Sequence, residues 1–225
     1  MDKFARIRRL FPVTGNYTYL NNAAVSPSPP FITGEAAGVL AGYGTSGGEC
    51  EGSWHRRIAE VRDSVARLAG ARAREVFFTK NTSEAIVLAA RAFRWKAGDS
   101  VVCLQGEFPA NVVPFHLLAG QGVGLRLVRS RSDNRFPVEE IAAACDSTTR
   151  MLAVSFVEFH TGFRNDLAAL GELCRERGIF FVVDGVQAVG ALRTEFRCWG
   201  IDLLSAGGHK WLLAPEGVGF ACLRA

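Results

Sequence analysis

From about residue 75 onward, short apolar runs rich in Val, Phe, Leu and Ile alternate with longer stretches in which apolar residues recur every three or four positions. The short runs predict seven strands: EVFFT at 75–79, SVVCL at 100–104, GLRLV at 124–128, RMLAVSF at 150–156, IFFVVD at 179–184, DLLSA at 202–206 and GVGFACL at 217–223. Several are apolar almost throughout, the pattern of strands covered on both faces. Helical periodicity fills the intervals at 83–93, 111–119, 138–144 and 167–177. This alternation predicts an α/β fold with a mostly parallel seven-stranded sheet and helices on both faces.

The pattern changes before residue 75. YLNNAAVSPSPP at 19–30 is rich in turn formers, and two helical stretches follow at 31–43 and 51–69, separated by the glycine-rich GYGTSGGE. At the start, Phe4, Ile7, Leu10 and Phe11 share one face of a short amphipathic helix expected to dock on another surface. The chain therefore divides into an N-terminal helical arm, 1–70, and a large domain, 71–225.

Composition narrows the function classes. With 225 residues and 48% hydrophobic content, the chain can bury one substantial core. The net charge of +4 is small, and the basic stretches Arg6–Arg9 and Arg126–Arg135 lack interleaved aromatics, so no nucleic-acid partner is expected. No apolar run approaches the ~18 residues of a membrane span, and MDKFARIRRLF lacks the features of a secretory signal, so a cytoplasmic protein with no membrane partner is expected. The cysteines at 50, 103, 145, 174, 198 and 222 form no CxxC pair. That argues against a zinc site or a disulfide framework and for a reducing compartment, and no metal is expected.

In a twisted parallel sheet, ligands sit beyond the carboxyl ends of the strands. After the first strand, Thr82 and Ser83 open a helix whose free N–H groups favour an anion such as phosphate, although Asn81 or Thr82 as a plain helix cap fits equally well. The fifth strand ends in Asp184, with Gln187 three residues on, and a carboxylate there is costly to bury without a positive partner. The sixth leads into GGHK at 207–210. Lys210 is one of only four lysines, with Lys3, Lys80 and Lys96, in a chain whose Lys and Arg total 26, and only an amine with an accessible neutral form attacks a carbonyl. Phe108 and Asn111 follow the second strand and His160 the fourth; taken singly, each also reads as packing or as a satisfied polar residue. No GxGxxG or GxxxxGK[ST] follows the first strand, and GQGVG at 120–124 precedes a strand, which sets a nucleotide-binding reading aside.

YLNNAAVSPSP, FFTKNTSEAI, GEFPANVVPF, VDGVQAVG and DLLSAGGHKWLLAPEGVGF occur here in the order of the class V aminotransferase family of fold type I pyridoxal-phosphate enzymes, and the whole chain resembles that family. The resemblance implies that pyridoxal phosphate is the cofactor, that an amino acid is the substrate, and that the protein is a homodimer. It implies Lys210 as the Schiff-base lysine, Asp184 as the partner of the pyridine nitrogen and Gln187 as a donor to the phenolic oxygen. Thr82 and Ser83 match the phosphate-holding pair, with His209 beside them. Phe108 stands where many members stack a histidine on the ring. Phe159 and Gly207 depart from the desulfurase branch, which has an asparagine and a phosphate-binding serine there, so β-elimination, transamination and epimerisation stay open. The family's small C-terminal domain, with its carboxylate-binding arginine, is expected to be absent from this chain; a form that binds the cofactor or a partner subunit without turnover is the alternative reading.

Overall fold

The computed structural model describes residues 2–225. Seven strands form one sheet: β1 Val76–Thr79, β2 Ser100–Leu104, β3 Gly124–Val128, β4 Thr149–Ser155, β5 Phe180–Asp184, β6 Leu203–Gly207 and β7 Gly219–Leu223. Their spatial order is β1-β7-β6-β5-β4-β2-β3. β7 runs antiparallel to both its neighbours, and every other pairing is parallel. The expected α/β architecture is therefore the one observed.

The helices are α1 Lys3–Arg8, α2 Pro30–Ser46, α3 Glu51–Ala69, α4 Thr82–Ala92, α5 Val113–His116, α6 Val138–Ala144 and α7 Leu167–Arg177. Strand alternation explains why they lie on both faces. Val102, Leu104, Leu152, Val154, Phe181, Val183 and Leu204 point into one core, which includes Ala66 and Ala69 of α3, Ile141 of α6 and Leu170 and Cys174 of α7. Their sequence neighbours Val101, Cys103, Met151, Ala153, Val182 and Leu203 point into the other, against Ala85, Ile86 and Ala90 of α4 and Phe115 of α5. Both registers are apolar because both faces are covered, so these strands carry no polar alternation.

Three local expectations change. The helix expected over 111–119 is broken into a 3-10 turn at Pro109–Asn111, the single turn of α5, and a second 3-10 turn at Leu117–Gln121. Pro109 and Pro114 each lack the N–H that a continuous helix needs and fit only in a first turn. α2 runs on through Gly42 and Gly44 and stops at Gly47, whose φ of 54° is available to glycine at little cost. α1 buries none of its residues, and Phe4 on its apolar face is 75% exposed.

α7 packs closely against residues 199–200, ahead of β6, because it carries a glycine there. A Cβ at Gly171 would lie 1.6 Å from the carbonyl oxygen of Trp199, and that neighbour is backbone. Gly171→Ala is expected to destabilise the fold by about 3 kcal/mol, read as a lower urea midpoint at unchanged slope. A wild-type midpoint would show that α7 and 199–200 move apart freely.

Candidate active site

The seven residues that the family resemblance singled out meet in one cleft at the carboxyl edge of the sheet, whereas Asn111 and His160 do not line it. It measures about 150 Å³, and Thr82, Ser83, Phe108, Asp184, Gln187, His209 and Lys210 line it together with Asn81, Ala110, Ser155, Phe159 and Val186. They arrive from the turns after β1, β2, β4, β5 and β6, where the parallel strands all end on the same side.

One wall is the start of α4. The Asn81 carboxamide oxygen accepts from the Glu84 amide at 2.9 Å, and the Glu84 carboxylate accepts from the Lys80 amide at 2.7 Å. This reciprocal cap holds the first turn in place. The capping role falls to Asn81, which leaves Thr82 free: its buried Oγ1 has no hydrogen-bond partner among the described residues. A buried hydroxyl without a partner carries a cost that a ligand oxygen would remove. Opposite it, a Cβ at Gly207 would stand 3.3 Å from Thr82 Oγ1 and 3.1 Å from the His209 ring, so the glycine keeps this recess open.

The floor is Asp184. β5 carries it into the interior, where it is 3% exposed, and one carboxylate oxygen accepts from the Val186 amide at 2.9 Å. Burial pushes its pKa up to about 7; the Val186 bond opposes the rise, the Glu107 charge adds to it and the Lys210 charge opposes it. Lys210 is half-buried with its Nζ 5.9 Å from the centre of the Phe108 ring. Desolvation lowers its pKa, partly offset by Asp184, so the amine reaches its neutral form more readily than a surface lysine. His209 is also held below the ordinary imidazole range by burial and by the Lys210 charge.

Gln187 and Phe108 form the remaining sides. The Gln187 amide donates to the Ala23 carbonyl at 2.9 Å, and its oxygen accepts from Trp211 Nε1 at 3.2 Å. Ser26 N–H donates to the His209 carbonyl at 2.8 Å, so the segment around residues 23–26 is laced to the cleft. Phe108 packs edge-on against Phe159 at 5.4 Å between ring centres. His160 lies outside the lining residues, against Gly106.

Residues 18–225 match the family described as Aminotransferase class-V. The chain belongs to the class V aminotransferase family. A probable cysteine desulfurase of Methanothermobacter thermautotrophicus is 31% identical over 220 residues, which span 95% of this chain and 54% of that protein. The apo cysteine desulfurase of Thermococcus onnurineus NA1 superposes with a TM-score of 0.88 at 25% identity, covering 100% of this chain and 57% of the other. A variant of C-DES with glycine covalently linked to its PLP cofactor shares the fold, with a TM-score of 0.91 at 21% identity over 97% of this chain and 59% of the other. The chain spans about half the length of the curated relatives it matches.

For this class V chain the sequence reading passed over the groups behind the cleft. Glu107 is buried and accepts from the Phe108 amide, the Asn111 carboxamide and the Ser155 hydroxyl. Glu158 is buried nearby, bonded to the Asn165 carboxamide at 2.8 Å, and burial pushes its pKa up to about 8. GEF at 106–108 places a carboxylate just after an apolar strand, the same signal that singled out Asp184, but only the fold shows it turning inward.

The raised pKa of Asp184 fixes the sign of a stability effect. Unfolded, the carboxyl ionises near its ordinary 3.8, whereas folded it holds its proton to about 7. The folded state is therefore favoured below pH 4 and loses that advantage as the pH rises to 7. Asp184→Asn is expected to be more stable than wild type at pH 8, by on the order of 2–4 kcal/mol, and to match it at pH 4. Urea midpoints at the two pH values test this, and equal midpoints at pH 8 would contradict it.

Proposed function

We propose that this chain holds pyridoxal phosphate in the cleft and belongs to an enzyme that acts on an amino acid through the amine of Lys210. The observation that carries this reading is the meeting, in one recess, of a half-buried amine of lowered proton affinity, a buried carboxylate and an unpartnered hydroxyl at a helix N-terminus. These residues fit the cofactor's three chemically distinct parts.

Thr82, Ser83 and the first turn of α4 receive the phosphate, where aligned peptide dipoles and free N–H groups favour an anion. His209 stands beside them and Gly207 leaves the room. Asp184 would pair with the pyridine nitrogen, and its ionised form, costly to bury alone, would be offset by a protonated ring. Phe108 covers the ring by stacking. Gln187 spends one amide hydrogen on Ala23 and keeps the second for the phenolic oxygen. When bound, the cofactor supplies the electron sink that makes an α-proton removable.

Lys210 would have two tasks in this reading: its neutral amine would hold the cofactor through its carbonyl carbon, with water as the leaving group, and once displaced by the substrate's amine it would take the α-proton. The lowered proton affinity of the amine serves both. Sulfur elimination, transamination and epimerisation all begin with that proton removal. The named relatives favour the first, whereas Phe159 and Gly207 leave the branch open. A homodimer belongs to the same reading and is supported by α2, which buries none of its residues and exposes Phe31, Val39, Leu40 and Tyr43.

Adding pyridoxal phosphate to the purified chain is expected to give a visible absorbance band. Borohydride should then fix the label on Lys210, and Lys210→Ala should lose it. Label spread over Lys3, Lys80 and Lys96 would overturn the proposal. Thr82→Val is expected to weaken cofactor affinity about 10-fold and to blunt competition by inorganic phosphate, measured by titrating the same band; unchanged affinity would remove Thr82 from the phosphate site. Sedimentation equilibrium at micromolar concentration is expected to return twice the chain mass, and Leu40→Glu to return the monomer; a monomeric wild type would refute the dimer.

A further inference from the structure

Behind the cleft lies a set of buried groups that the proposed chemistry does not use. Glu107 turns inward from the end of β2 and is 7% exposed. One of its oxygens accepts from the Phe108 amide at 3.2 Å, Asn111 Nδ2 at 2.9 Å and Ser155 Oγ at 2.6 Å, and the other accepts from the Ser155 amide. Ser155 is the last residue of β4 and sits in register with Asp184 on β5, with the Phe156 amide donating to the Asp184 carbonyl at 2.8 Å. Asn111 Nδ2 also donates to Ser155 Oγ at 3.1 Å. Glu107 thus touches two elements of the cleft, the Phe108 turn and the end of β4, and the second lies beside the floor residue Asp184.

Every donor that Glu107 finds is neutral, and no arginine or lysine pairs with it among the described salt bridges. Four neutral donors are the solvation of a carboxylate taken out of water. Burial raises the pKa of Glu107 while its four hydrogen bonds oppose the rise, and in its ionised form it acts on its neighbours through a medium that screens poorly. The ionisable groups around Asp184 are Glu107 from the turn after β2, Glu158 from the turn after β4, and Lys210 and His209 from the turn after β6; Cys103 lies under Glu107 on β2. Lys210 is the one cation that acts on Asp184, and Glu107 acts on it from the opposite sense.

We propose that Glu107 is a positioning residue of the site: it fixes the Phe108 turn and Ser155 against the cleft, and through Ser155, the register partner of Asp184, it places a second buried carboxyl group electrostatically coupled to the floor. The inference rests on the proposed cofactor reading for its use, because a second negative charge behind the floor favours a cationic ring nitrogen over a neutral one. Its physical content concerns the apo-protein alone.

The test is a carbon-13 NMR titration of the apo-chain labelled at its carboxyl groups, with Asp184 assigned through Asp184→Asn. In Glu107→Gln, which keeps the shape and most of the acceptor geometry, the Asp184 midpoint is expected to fall by at least about half a pH unit. Glu107→Asp should restore it in part. A folded Glu107→Gln chain with an unmoved Asp184 midpoint overturns the proposal. If that variant does not fold, the wild-type curves decide: biphasic titration shared by the Asp184 and Glu107 signals supports the coupling, and two independent single-step curves overturn it. Cofactor binding is read separately from the visible band, so a chain that fails to bind pyridoxal phosphate but shows the Asp184 shift defeats the functional reading and leaves this one standing.

Discussion

A carboxylate held out of water at the end of an apolar strand is the constraint around which the cleft is arranged. β5 is buried on both faces, and its last residue, Asp184, has nowhere polar to turn except the carboxyl edge of the sheet. The cost of that position is met only in part by the Val186 amide. The rest is left as raised proton affinity. Lys210 enters from the neighbouring strand, close enough for each charge to act on the other.

Parallel pairing is what brings these groups together. β2, β4, β5 and β6 end on the same side, so four turns distant in sequence deliver Phe108, Ser155, Asp184 and Lys210 to one recess. β7 is the exception, and its antiparallel return places Gly219 beside Gly207 and lets α4 follow β1 into the same edge. Glycines then set the clearances. Gly207 spares the buried Thr82 hydroxyl a crowding Cβ, and Gly171 lets α7 pack against backbone on the far face.

Much of this was legible in the chain. Strands covered on both faces have few ways to be written other than as unbroken apolar runs, so seven of them could be marked to within a residue or two. The carboxyl-edge rule then singled out Asp184, Lys210 and the Thr82–Ser83 pair, since each follows a strand directly. The helix over 111–119 misled because its apolar spacing is helical, while Pro109 and Pro114 break the hydrogen bonding that spacing alone does not register.

The sequence by itself determined the sheet, its two-faced burial and the turns that line the cleft, because these follow from local periodicity and from which residues sit at strand ends. Only the tertiary structure decided which carboxylates stand behind the cleft. Glu107 and Glu158 turn inward beside Asp184, Gln187 reaches back to Ala23, and Asn81 takes the cap that leaves Thr82 free. The Glu107–Ser155 and Gln187–Ala23 contacts join residues 48 and 164 positions apart, and electrostatic coupling depends on distance and burial, which no local pattern encodes.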